Sequence, residues 1–160
     1  MSVPVGITVP KILPVTGTFL PAFAAYYVLL NLRVSLSRVA TDTMIGTDTS
    51  KKASSDSKPK SSQSDGHALL VNARCHGNFI ENVPLALLVA SIVEMNGGDR
   101  QVLTGSLAAL LFFRIAHVEL GLKAERALGW GRSVGYFGTL SWVLGMSTYA
   151  AWLVKSYWGL

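Results

Sequence analysis

The chain of 160 residues has little charge and almost no cysteine. Charged residues make up 14% of it, where soluble domains carry about 25%. Its single cysteine, Cys75, excludes a disulfide framework within the chain and a cysteine-based zinc site. The three histidines, His67, His76 and His117, lack metal-ligand spacing, so no metal site is expected. The charges present are crowded, leaving 21 uncharged residues from Ile12 to Leu32 and 22 from Ser133 to Val154. A helix crosses the hydrocarbon core with roughly 20 apolar residues, so each blank suffices for one crossing. Half of the residues are hydrophobic and the mean hydropathy is positive, which excludes a soluble single domain. The net charge of +5 flanks apolar spans instead of covering one face of a polar domain. That pattern points to membrane orientation and away from nucleic acid.

Four spans are expected, at about 12–36, 67–93, 101–122 and 133–154. Pro14 and Pro21 sit near the start of the first, where a missing amide matters least. Trp152, Tyr157 and Trp158 end the fourth as an aromatic belt. The middle two reach full length only by running through ionisable groups: Arg74 and Glu81 in one, Arg114, His117 and Glu119 in the other. Such groups at membrane depth are costly and usually functional. The alternative is a pair of interfacial or re-entrant segments. Asn96–Asp99 reads as a tight turn, and 41–65 as a flexible polar linker with almost no apolar content at its centre. The first stretch is expected to stay as an anchor, because it lacks a signal peptide's charged start and cleavage site. Eleven Lys and Arg residues fall with the two long linkers and three at the other end, so the linkers are expected in the cytosol.

Antiparallel threading of these spans brings polar residues to one end. Arg33 and Arg38 close the first span, Arg74, Asn78 and Glu81 open the second, Arg114 and His117 close the third, and Arg132, Ser133 and Tyr136 open the fourth. Helical spacing puts Arg74, Asn78 and Glu81 on one face, with Glu81 roughly 10 Å along the axis from Arg74. Arg114, His117 and Gly121 form a second stripe. A buried Glu81 is expected to meet one of the arginines, since an unpaired buried carboxylate would neutralise. The surplus of arginine over carboxylate suggests an anionic ligand, held by the two-pronged guanidinium.

The stretch Arg74-Cys75-His76-Gly77-Asn78-Phe79-Ile80-Glu81-Asn82-Val83-Pro84 resembles the Arg-x-x-x-Asn-x-x-Glu-x-x-Pro signature of the MAPEG family, the membrane-associated proteins of eicosanoid and glutathione metabolism. Phe113–His117 and the Arg132-Ser133-x-x-Tyr136 run extend the resemblance, which covers nearly everything except the linker. It implies an all-α integral-membrane four-helix bundle that forms a homotrimer, with glutathione between subunits. By the same resemblance Arg74, Asn78, Glu81 and Tyr136 would bind glutathione and Arg132 would stabilise its thiolate; His117 is read as a ligand contact or else as a satisfied helix-end histidine. An arginine of the first span would join them: Arg38, or else Arg33. Two positions depart from the pattern: Gly121 and Asn82 stand where members carry tyrosine, and a ligand contact at 121 would be lost or replaced.

Plainer readings stand beside these. Cys75 points off the polar stripe and reads as a small buried hydrophobe. Lys123, Glu125 and Arg126 read as solvated linker charges, and Glu119 as the partner of a neighbouring basic residue. Arg74, Asn78 and Glu81 could instead form a structural network joining helices. The resemblance implies a transferase or peroxidase that offers glutathione thiolate to an apolar electrophile or a lipid hydroperoxide, in the endoplasmic reticulum or else a mitochondrial membrane. The alternative is a non-catalytic lipid-binding adaptor or a structural subunit of a larger membrane assembly.

Overall fold

The computed structural model describes residues 12–45, 61–124 and 129–159, and within these the chain is helical without strands. Helix α1 spans Pro14–Thr41, α2 Ser61–Met95, α3 Arg100–His117 and α4 Trp130–Leu153. A π-helical turn, Val118–Leu122, continues α3, and a short 3-10 turn, Lys155–Trp158, follows α4. The centre of the expected polar linker, 46–60, lies outside the described residues, as do Glu125 and Arg126.

Three helical stretches are long and apolar enough to cross a membrane: Pro14–Thr41, Gly66–Met95 and Arg100–Leu122. The two middle spans, which looked disguised in the sequence, therefore pass on length and apolarity. The fourth helix is not among them: glycine, serine, threonine and tyrosine recur along it between its apolar residues. Its 24 residues still reach about 36 Å at 1.5 Å per residue, the length of a crossing.

The helices alternate in direction, and the bonds at one end show it. Leu13 precedes Pro14 and has no side chain able to cap α1. Glu94, near the far end of α2, takes that role: its carboxylate accepts from the amides of Val15 at 2.6 Å and Thr16 at 2.8 Å. A carboxylate at a helix N-terminus satisfies orphan N–H groups and complements the helix dipole. At the same end, α2 stops where Gly97 takes a φ of +76° and Gly98 donates its amide to the Val93 carbonyl at 2.9 Å. Asp99 then caps α3 by accepting from the amides of Gln101 and Val102. Its own amide donates to the Tyr149 hydroxyl of α4 at 3.0 Å.

The core lies between these helices. Phe23 and Leu30 of α1 meet Phe79, Val83, Ala86 and Ala90 of α2, then Leu103, Leu107 and Leu110 of α3, with Trp142 and Met146 of α4. Cys75 is buried in this cluster at 1% exposure, as a small hydrophobe. Tyr26 packs edge-on against Phe79 at 5.6 Å. Trp142 donates its indole N–H to the Ser106 carbonyl at 2.6 Å, joining α4 to α3. Outside the core, Leu20, Val28, Leu32, Leu88, Phe112 and Leu144 face outward, as lipid-facing side chains do.

Candidate functional site

A cavity of about 700 Å³ opens at the opposite end of the bundle, inside the ~300–1,000 Å³ range of small-molecule sites. Arg74, Asn78 and Glu81 line it from α2, His117 from α3, and Arg132, Ser133 and Tyr136 from α4. Leu70, Val71, Leu122 and Phe137 form its apolar wall. All the expected site residues except Arg38 thus border one space.

Arg38 is held elsewhere within the chain. It lies in the last turn of α1 and donates to the Met44 carbonyl at 3.0 Å. The unsatisfied carbonyls beyond a helix C-terminus draw a basic side chain there. Arg33, the other arginine considered, donates to Glu119 Oε1. Glu119 also takes Lys123 at 2.9 Å and the Tyr26 hydroxyl at 3.3 Å, so it is the partner of neighbouring basic groups that the sequence suggested. This node ties α1 to the π-helical turn.

Glu81 departs from expectation. It is exposed toward the cavity and meets no arginine; neither it nor Arg74 has a hydrogen bond or ion pair among the described residues. Solvent at the open cavity removes the burial that would have forced a partner. The arginine that is buried is Arg114, at 2% exposure. Its Nη1 donates to Asn78 Oδ1 and its Nη2 to the Gly135 carbonyl, both at 2.9 Å, and its Nε has no partner among the described residues. Asn78 therefore serves the helix-joining network as well as the cavity wall. Threading the spans already put Arg114 and Asn78 at one level, and a buried cation requires acceptors. The partner of the buried guanidinium is thus Asn78 and not Glu81.

His117 is buried, and its Nδ1 lies 3.0 Å from the Arg132 carbonyl oxygen. A carbonyl only accepts, so Nδ1 carries the proton and Nε2 of a neutral ring is left as an acceptor.

Glycine at 121 has a steric reason. The π-helical turn swings this position against the start of α4, where a Cβ would lie 2.5 Å from the Arg132 amide nitrogen and 2.7 Å from its Cα. No side chain fits there. Gly131, Gly135 and Gly138 likewise leave no room for a Cβ against the backbone and Phe113 ring of α3, so α4 lies flush on α3 and carries Arg132 and Tyr136 to the cavity.

Among the described residues no group of His, Cys, Asp and Glu could hold a metal ion. A family model described as the MAPEG family matches residues 17–152. No curated protein and no solved structure matches the chain.

Proposed function

The chain belongs to the MAPEG family and is a membrane protein, and from this premise we propose that its cavity binds glutathione for transfer to an apolar electrophile or reduction of a lipid hydroperoxide. One observation carries the reading. Arg74 and Glu81, of opposite charge and roughly 10 Å apart along α2, both face the cavity without a partner among the described residues. Glutathione has two carboxylates and one ammonium group, which match that donor and acceptor set. Arg74 takes a carboxylate, Glu81 takes the ammonium, and Asn78 and Tyr136 hydrogen-bond the peptide portion. His117 offers its Nε2 as an acceptor, and Arg38 enters from a neighbouring subunit of a homotrimer.

Bound glutathione supplies a thiol that attacks when ionised. Arg132 is the group in this chain that favours that ionisation, because a fixed guanidinium beside sulfur stabilises the charged form. Its place in the first turn of α4, whose N-cap Gly129 has no side-chain bond, adds the positive end of the helix. The apolar wall of Leu70, Val71, Leu122 and Phe137 receives the second substrate from the lipid. Both long linkers lie in the cytosol, and the membrane is that of the endoplasmic reticulum, with a mitochondrial membrane as the alternative.

The test is to incubate detergent-solubilised protein with glutathione and an aryl halide, then separately with a lipid hydroperoxide. Turnover in either, lost in Arg132→Ala, is the expected result; no turnover and no saturable glutathione binding would overturn the reading.

A lipid-binding adaptor without catalysis is the second reading, favoured by the capture of Asn78 Oδ1 by Arg114. Stoichiometric large partners co-purifying with a protein that ignores glutathione would select it.

A further inference from the structure

Arg114 does not line the cavity, yet it touches two elements that do. It donates to Asn78 Oδ1 on α2 and to the carbonyl of Gly135, the residue before Tyr136, on α4. It is nearly sealed from solvent and has no carboxylate partner among the described residues. A buried cation of this kind is expensive unless every acceptor around it is turned toward it. A guanidinium has donors only, so the Asn78 amide must present oxygen to Arg114. The amide nitrogen of Asn78 is then left without a partner among the described residues, on a side chain bordering the cavity. Without Arg114 the two ends of the amide would be nearly interchangeable, and half of the orientations would place oxygen toward an anionic ligand.

We propose that Arg114 is a positioning residue that fixes the Asn78 amide with its N–H₂ group toward the cavity, making this wall a donor for a carboxylate or carbonyl oxygen of the ligand. The inference rests on the glutathione reading of the site. Arg114 acts through Asn78 and leaves Arg132 alone, so it sets affinity for glutathione and not the reactivity of the bound thiol.

Two substitutions separate this role from a purely structural one. Asn78→Asp keeps an oxygen for Arg114 and gives it a carboxylate partner, so the fold is retained and Tm does not fall. It also replaces the donating nitrogen by a second oxygen, so glutathione affinity is expected to fall by about tenfold or more. Arg114→Met frees the amide and, with half of its orientations competent, is expected to raise the KM for glutathione by about twofold at nearly unchanged kcat. In an Asn78→Ala background the same Arg114→Met change is expected to have a smaller effect on affinity, since only its bond to the Gly135 carbonyl beside Tyr136 is left to lose. Arg114→Lys, which retains a donor for the amide oxygen, restores most of the affinity. Glutathione affinity is measured by titration calorimetry, with Tm recorded for each variant. Wild-type protein that fails to bind glutathione overturns the reading of the site and the inference with it. Binding by the wild type, with Asn78→Asp binding equally well or the two positions acting additively, overturns the inference alone.

Discussion

Gly121→Ala tests how the π-helical turn holds Arg132. Two opposing effects set the outcome. Alanine in a helical position gains about 1 kcal/mol over glycine through backbone entropy. Against this, the new methyl lies 2.5 Å from the Arg132 nitrogen and 2.7 Å from its Cα, both backbone atoms that no rotamer change can move aside. Overpacking of that kind costs about 1–3 kcal/mol, so the net loss is about 0–2 kcal/mol and Tm falls by a few degrees. Geometry suffers more than stability. Carbon contacts settle near 3.5–4.0 Å, so the first turn of α4 must retreat by roughly 1 Å, taking Arg132 with it. A shift of that size can cost about a hundredfold in rate. The expected result is therefore a protein that folds and binds glutathione but shows a large loss of kcat and a weaker thiolate absorbance. Gly17→Ala, where nothing lies within 4 Å, is the control and is expected to raise Tm slightly. Turnover of Gly121→Ala within about twofold of the parent would refute the reasoning.

Glu94→Ala removes the carboxylate that caps α1 from α2 and is expected to cost about 1 kcal/mol in thermal unfolding, with glutathione affinity unchanged. Trp142→Phe loses the bond to the Ser106 carbonyl, an expected cost of about 1 kcal/mol, read by the same unfolding measurement. Gly105 and Gly145 have open space around them in one chain, so leucine at either is expected to leave the subunit folded while lowering the mass of the proposed homotrimer in mild detergent.

The helices were legible because length and uncharged runs are properties of the residues alone. The convergence of Arg74, Asn78, Glu81, His117, Arg132 and Tyr136 on one end followed from helical spacing and alternating direction, and these residues do line one cavity. What could not be read was which polar groups find each other. Burial decides that, and burial depends on where the cavity opens. Glu81 was expected to need a cation and instead faces open space, while Arg114 is the buried charge that needed Asn78. The cap on α1 was hidden for a related reason: Glu94 is 78 residues from Thr16 and carries no local capping motif. The packing that requires glycine at 121 was hidden because an ideal α-helix places this position on the His117 face, and the π-helical turn sets it against Arg132.

The most direct test of the proposed glutathione site is the ultraviolet absorbance of thiolate as glutathione is titrated into the detergent-solubilised protein at neutral pH. A saturable thiolate signal in the wild type, lost in Arg132→Ala while calorimetric binding persists, is the expected result, since the proposal has Arg132 stabilise the charge while Arg74 and Glu81, which line the cavity, hold the ligand. A thiolate signal unchanged by Arg132→Ala would contradict the account.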